Sequence, residues 1–268
     1  MNSGHERLIG LKPDSLIKGT VILAAAAFVA RFLGMIVRAP LLYLLEEKAM
    51  ASYVIANNIY LNLLIVATAG LPSAVSKLIS EHHELGREAE AHQIYRAAVW
   101  FAVCAGVIVT LLLFGLAPFY AQFAGNLDSI EAIRALAPAL LLFPVIAIMR
   151  GYFQGRRMMK AGAISQMLEQ FARVGSALLI AYVMIQMGIS QTGAAAGASF
   201  GGVLGSVAAF IVMLYFWRKM KKLDASTYSS TDKAETKDSP RKMSLKTIYK
   251  MLFRLSIPIS LISMMVPL

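Results

Sequence analysis

The chain has 268 residues, of which 58% are hydrophobic and 15% are charged, and its mean hydropathy is +0.64. Soluble domains are typically about 45–50% apolar and about 25% charged, so this composition excludes a water-soluble fold. The net charge of +11 would suit a nucleic-acid-binding protein, but the bases cluster between apolar runs and no nucleic-acid-binding signature is present. We therefore expect no nucleic-acid partner.

Six apolar segments are long enough to cross a bilayer, which requires about 20 residues. They predict helices over 16–45, 52–78, 95–120, 130–155, 162–187 and 193–217. The predicted fold class is therefore an all-α integral membrane protein that crosses the cell membrane several times. It has a short N-terminus (1–15) and a six-helix transmembrane lobe (16–222).

The loops between these helices alternate in charge. Twenty of the 26 basic residues lie in the N-terminus and in the second, fourth and sixth loops, whereas the odd-numbered loops hold only Lys48. Because basic residues favour the cytoplasmic side of a membrane protein, the sequence predicts a cytoplasmic N-terminus.

The region after the sixth helix is polar and basic. Residues 223–244 are predicted as a flexible cytoplasmic linker, because they hold too few apolar groups to bury a core. Residues 241–254 fit either an amphipathic helix on the anionic inner leaflet or a positive flank that fixes topology. The uncharged residues 255–268 span about 21 Å as a helix, short of the hydrocarbon core of about 30 Å. Residues 245–268 are thus expected to be the truncated start of a second lobe, within a seventh transmembrane helix.

Two arginines occur inside the first predicted helix. Arg31 lies midway along it, and Arg38 follows about two turns later on nearly the same face. Because a charge at membrane depth costs on the order of 3 kcal/mol or more, it normally faces a partner or a water-filled cavity. The pair indicates a cationic cavity for an anionic ligand; the alternative is that both snorkel or pair with acids on other helices. Gly34 and Pro40 are expected to interrupt this helix.

The second helix carries polar residues as well. Asn58 and Asn62 lie one turn apart and are predicted either to line the same cavity or to hydrogen-bond between helices. Gly70 and Pro72 are expected to break this helix near its cytoplasmic end.

The fourth and fifth helices form a predicted hairpin with charges at matched depth. Arg150 and Glu169 lie at similar distances from the turn, which predicts an ion pair between them. Gln166, Glu169, Gln170 and Arg173 form one polar stripe along the fifth helix. This stripe is interpreted either as scaffold, since each charge has a partner, or as part of a transport path.

Signatures of enzymes and metal sites are missing from the sequence. No phosphate-binding loop, nucleophile elbow or zinc-protease motif is present, so we expect no catalytic residue, no enzymatic activity and no cofactor. His82, His83 and His92 occur among four acids in a segment that is interpreted as a solvated cytoplasmic loop rather than a metal site.

Several motifs in order resemble a known family. The motifs are Ala-Arg-Phe-Leu-Gly at 30–34 with Arg38, the run from Ala67 to Glu81, Arg-Gly-Tyr-Phe-Gln-Gly at 150–155, and the run from Ser165 to Val174. By these motifs the chain resembles the polysaccharide biosynthesis and export (stage V sporulation protein B / YtgP-like) family. This family belongs to the multidrug/oligosaccharidyl-lipid/polysaccharide (MOP) flippase superfamily and is related to the MurJ lipid II flippases.

This resemblance implies a fold and an activity. The fold would be MATE-like, with two six-helix lobes around a central cavity, of which this chain holds the N-terminal lobe and the beginning of the C-terminal lobe. The activity would be alternating-access transfer of a lipid-linked oligosaccharide of the undecaprenyl-pyrophosphate type, a peptidoglycan or surface-polysaccharide precursor. Arg31 and Arg38 would hold the pyrophosphate, while the cavity arginine that MurJ-type proteins carry on the second helix has no counterpart here. Partners would be this substrate, membrane lipids and the missing C-terminal lobe; whether a cation is coupled stays open.

Two other functions fit a membrane bundle of this kind. The first is a cation-coupled drug exporter of the MATE type, which would call for carboxylates where the first helix carries arginines. The second is a non-transporting membrane scaffold for cell-wall assembly.

Overall fold

The computed structural model describes residues 15–68, 70–231 and 243–265, and all regular structure in these ranges is helical. The helices are α1 (Leu16–Ile36), α2 (Arg38–Leu44), α3 (Glu47–Thr68), α4 (Leu71–Glu84), α5 (Glu88–Phe123), α6 (Ser129–Leu136), α7 (Ala139–Gly155), α8 (Met159–Gln186), α9 (Gln191–Thr231) and α10 (Leu245–Met265). Within these ranges six stretches are long and apolar enough to cross a membrane: α1–α2, α3–α4, α5, α6–α7, α8 and α9. The prediction of an all-α, multi-pass membrane bundle is confirmed.

The first span is broken at Val37, between α1 and α2. Pro40 has no N–H and cannot donate the helical hydrogen bond to the carbonyl of Ile36. The helix is therefore interrupted at Val37, the residue that follows Ile36. Gly34 stays helical within α1, so the interruption expected there does not occur. A glycine lowers helix propensity, but it removes no backbone hydrogen bond.

The second span breaks where its sequence predicts. α3 ends at Thr68, and α4 begins at Leu71 with Pro72 in its first turn. Gly70 precedes α4 with φ +69°, in the left-handed region that residues with a Cβ avoid.

Replacing Gly70 with alanine is expected to destabilise the protein by about 1–2 kcal/mol, because a Cβ is unfavourable at this backbone conformation. The loss would be measured as a lower unfolding temperature of the detergent-purified protein. Gly115→Ala is the control, since a Cβ at that helical position meets nothing within 4 Å. Equal stability of the two variants would contradict the expectation.

Contacts between loops show how the spans alternate. At one end, the Glu46 backbone N–H donates to Gln191 Oε1 at 3.2 Å, and Asn126 Nδ2 donates to Ser52 Oγ at 3.1 Å. At the other end, Arg157 Nη2 lies 2.7 Å from Glu84 Oε1. The odd-numbered loops therefore share one end of the bundle and the even-numbered loops the other, as an up-and-down arrangement requires.

The helix that carries the sixth span is longer than expected. α9 continues to Thr231, so the first part of the predicted linker is helical. Residues 219–231 contain neither glycine nor proline, so nothing in them stops propagation of the helix. Residues 232–242 of that linker lie outside the described residues.

The start of α10 packs against α4 and α5. Ile248 and Leu252 are 1% exposed there, and the Tyr249 hydroxyl donates to the carbonyl of Ala97 at 3.3 Å. The apolar face of this segment is therefore covered by the first lobe. This differs from the sequence alternative in which that face lies on the leaflet.

The three histidines between the second and third spans are not in a solvated loop. His82 and His83 lie in the last turn of α4, His92 lies in α5, and only residues 85–87 separate the two helices. His82 is 7% exposed, with Nε2 3.5 Å from Glu90 Oε2, and His83 pairs with Glu88. The histidines and acids that suggested a loop instead contact one another, and their pairs join these two helices.

Candidate functional site

The first span has one buried seam and one exposed polar stripe. The seam faces α8 and includes the buried residues Ala26, Ala30 and Val37. Arg31 and Arg38 each follow a seam residue by one position, and both are exposed. They belong to a line of small or polar residues that recur every three or four positions: Thr20, Ala24, Ala27, Arg31, Gly34 and Arg38.

Large apolar side chains cover a different face of the same span. Phe28 is 71% exposed, Phe32 52% and Met35 62%, and in a helix they lie opposite the seam. Bulky side chains such as these suit acyl chains. The arginine stripe lies between this face and the seam, and its small residues leave open space around the two guanidinium groups.

The two arginines have no acidic partner in the ranges that the structure describes. Neither Arg31 nor Arg38 makes an ion pair or a hydrogen bond there. The sequence alternative in which they pair with acids on other helices is therefore not seen in residues 15–68, 70–231 and 243–265.

The asparagines of the second span are also exposed. Asn58 and Asn62 lie on the outer face of α3, while Ala56 and Tyr60 on the opposite side are fully buried. Neither asparagine makes a hydrogen bond among the described residues, so they do not join helices there. α1 and α3 scarcely touch, and the structure does not bring the asparagines into contact with the arginines.

A buried charge network occupies the interior of the lobe. Glu169 is 3% exposed, and its carboxylate is shared between Arg150 Nη2 at 2.8 Å and Arg173 Nη2 at 3.1 Å. Arg150 also donates to Ser165 Oγ at 2.9 Å. The ion pair expected from matched depth is thus present, but the carboxylate holds two guanidinium groups rather than one.

The network extends from the fifth span to the second. Arg173 Nη2 donates to the Tyr60 hydroxyl at 3.4 Å, and its guanidinium lies 5.4 Å from the centre of that ring. Tyr53, two turns earlier on α3, lies within electrostatic range of both Arg173 and Arg38. The interior network therefore approaches the first span at Arg38.

Sequence reasoning missed three members of this network. Ser165 lies one turn before Glu169, so extending the polar stripe backwards would have found it. Tyr60 and Tyr53 offer no such signal, since Tyr60 lies 113 positions from Arg173 and a tyrosine in an apolar run normally indicates packing.

A cavity of about 160 Å³ lies beside the network, between the first, fourth and fifth spans. The fifth-span stripe residue Gln166 lines it together with Arg150, Gln154 and Leu23. Amide and guanidinium groups at this depth can hydrogen-bond water. The polar stripe therefore borders a cavity large enough for water on one side and the ion pairs on the other.

Two arrangements of charge thus coexist in the lobe. The interior arginines are both paired with Glu169, while Arg31 and Arg38 present unpaired positive charge on an open face. Guanidinium groups bind phosphate through paired N–H donors and keep their charge at membrane depth. The open face is therefore chemically suited to an anionic group.

Comparison with known proteins identifies the family. The sequence profile described as polysaccharide biosynthesis protein matches residues 16–268. The chain belongs to the polysaccharide biosynthesis protein family.

Proteins from Bacillus subtilis (strain 168) align with most of the chain. The membrane protein YabM is 30% identical over 243 residues, which cover 90% of this chain and 44% of YabM. The lipid II flippase MurJ and the stage V sporulation protein B are each 28% identical, and each alignment covers 78% of this chain and 40% of the relative. The chain therefore spans less than half the length of these curated relatives.

Solved structures show the fold of this family member. A MATE protein in the straight conformation matches with a TM-score of 0.72 and 15% identity, over 96% of this chain and 55% of that chain. A MOP superfamily transporter from Pyrococcus furiosus matches with a TM-score of 0.68 and 14% identity, over 94% of this chain and 54% of that chain. The chain has the MATE-like fold.

Proposed function

We propose that the chain is the N-terminal lobe of a flippase or exporter that moves a lipid-linked oligosaccharide across the cytoplasmic membrane. The substrate class is a sugar on an undecaprenyl-pyrophosphate carrier. The observation that carries the proposal is the exposed pair Arg31 and Arg38, which meet no acid in the described part of the chain. The lipid II flippase MurJ is a relative of this family member, which supports the same substrate class.

The chemistry of the stripe fits the carrier lipid. Arg31 and Arg38 would hold the pyrophosphate, because planar guanidinium groups bind its oxygens through two N–H donors at once. Asn58 and Asn62 on the open face of α3 would offer amides to the sugar hydroxyl groups. The apolar face with Phe28 and Phe32 would remain beside the acyl chains.

The membrane potential would favour outward movement of such a substrate. An inside-negative potential contributes about 2.3 kcal/mol per 100 mV for each negative charge that is carried outward. No cation is needed for this contribution.

Replacing both Arg31 and Arg38 with glutamine in the complete two-lobed protein is expected to lower the flipping rate at least about tenfold. The physical reason is the loss of two charge-assisted hydrogen-bond donors to the pyrophosphate, each worth about 1.5–3 kcal/mol. The measurement is the modification of a lipid-linked oligosaccharide by a membrane-impermeant hydrolase outside sealed vesicles.

The control is Arg134→Gln, which removes a guanidinium from another membrane span. Arg134 is exposed and lies over the Phe114 ring at 5.2 Å, away from the stripe. Unchanged flipping by the Arg31/Arg38 double variant would overturn the proposal. Drug-dependent proton or sodium flux would favour the exporter of cationic drugs instead. Co-purification with cell-wall synthesis enzymes, without flipping, would favour the scaffold.

A further inference from the structure

A groove outside the arginine stripe lies where α10 packs on α5. Its volume is about 340 Å³. One wall is formed by Gln93, Arg96 and Trp100 of α5, and the other by residues of the α10 segment, among them Leu245 and Tyr249. Trp100 is 65% exposed and Leu245 64%, so the groove opens to the surroundings of the lobe.

The two walls are joined by specific hydrogen bonds. The Met243 backbone N–H donates to Gln93 Oε1 at 2.9 Å, and the Tyr249 hydroxyl donates to the carbonyl of Ala97 at 3.3 Å. Phe101 of α5 packs edge-on against Phe253, with ring centres 5.3 Å apart. The groove is therefore a defined feature between two docked helices.

The charged side chain that lines the groove is Arg96. Arg96 is exposed and makes no ion pair in the part of the chain that the structure describes. On α10 the exposed bases Lys246, Lys250 and Arg254 lie on a different face of the helix from the lining residues. The nearest acids on α5, Glu88 and Glu90, contact histidines of α4 instead.

The position of the groove along α5 corresponds to a membrane interface. Arg96 is the last charged residue before the uncharged run that crosses the bilayer, and Trp100 lies one turn deeper. Tryptophan and tyrosine concentrate at the boundary between headgroups and acyl chains. The even-numbered loops meet at this end of the bundle, which the distribution of bases predicts to be cytoplasmic.

We propose that this groove binds the phosphodiester headgroup of an anionic phospholipid from the inner leaflet. Arg96 contacts the phosphate, and Trp100 and Leu245 contact the glycerol and upper acyl region. The bound lipid bridges α5 and α10 and so holds the beginning of the second lobe against the first. The proposal is independent of the substrate of the arginine stripe.

A lipid fits the groove better than a soluble anion. Apolar side chains make up much of its lining, including Ala97, Ile248 and the exposed Trp100 and Leu245. A soluble phosphate would gain nothing from them, whereas a phospholipid offers apolar atoms directly beneath its charge. Each base near an anionic leaflet contributes about 1 kcal/mol, enough for roughly fivefold enrichment of the lipid.

The test uses Trp100 as the reporter. The complete protein is placed in nanodiscs of phosphatidylglycerol and phosphatidylcholine in equal amounts, with brominated acyl chains on one lipid or the other. The quenching assigned to Trp100 is the difference between the wild-type protein and Trp100→Phe. We expect brominated phosphatidylglycerol to quench Trp100 several-fold more strongly than brominated phosphatidylcholine.

Arg96→Gln is expected to abolish this preference while leaving the total quenching similar. Arg87→Gln is the matched control, because Arg87 is an exposed base at the start of the same helix and does not line the groove. Equal quenching by the two lipids in the wild-type protein would overturn the proposal. Equal loss of preference in both variants would also overturn it, since a general surface charge would then suffice.

Discussion

Replacing Glu169 with leucine is expected to lower the free energy of unfolding by about 3–5 kcal/mol, the range for breaking a buried ion pair by removing one partner. Glu169 is the shared acid of two guanidinium groups, at 2.8 Å from Arg150 and 3.1 Å from Arg173. The side chains of both arginines are less than one-fifth exposed, so bulk water compensates little for the lost carboxylate. The measurement is the unfolding midpoint of the purified protein in a denaturant series.

A triple variant separates charge from packing. Arg150→Met with Glu169→Leu and Arg173→Met removes all three charged side chains of the network, and apolar groups of similar size replace them. We expect this variant to be several kcal/mol more stable than Glu169→Leu alone, because no buried charge is left unpaired. If Glu169→Leu were as stable as the wild-type protein, the carboxylate would not pair with the two arginines as described.

The same triple variant distinguishes the two interpretations of the polar stripe. If the stripe is scaffold, the stable apolar variant should retain flipping of the lipid-linked oligosaccharide. If Gln166 and the charged residues form part of a transport path, flipping should be lost although the fold is retained.

Replacing Gly151 with alanine is expected to destabilise the protein by about 1–3 kcal/mol, the usual range for overpacking. A Cβ at this position would overlap the carbonyl oxygen of Pro72 and lie 3.0 Å from its Cα, so α7 would have to move away from α4. The same two helices are also closely packed at Gly155, where an added Cβ would lie 2.6 Å from the Ser76 carbonyl oxygen. Backbone atoms cannot rotate aside as a flexible side chain would.

Gly175→Ala is the matched control for this prediction, with an expected effect of opposite sign. Gly175 lies within α8, and a Cβ there meets nothing within 4 Å. Alanine should therefore stabilise the helix by up to about 1 kcal/mol through its higher helix propensity. The unfolding temperatures of the two variants in the same detergent check both signs. A Gly151→Ala protein as stable as Gly175→Ala would show that α7 and α4 are not closely packed.

The sequence by itself determined the number of spans, their alternation and the break at Gly70. These are properties of local stretches: a span is defined by its apolar length, and a break by the conformational range of glycine and proline. The same reasoning failed at the end of α9, where the polar composition predicted a linker from residue 223. The helix continues to Thr231 because no glycine or proline stops it. The reasoning also failed for His82, whose burial depends on how α4 meets α5.

Only the tertiary structure decided which charged groups at membrane depth have an ion-pair partner. By sequence, Arg31, Arg38, Arg150 and Arg173 are all arginines within apolar segments. Their difference arises from the rotation of each helix about its axis, which turns Arg150 and Arg173 towards Glu169 and leaves Arg31 and Arg38 on an open face. The rotation of a helix is set by packing between residues more than a hundred positions apart, such as Tyr60 and Arg173. The sequence periodicity of a single helix therefore does not predict it.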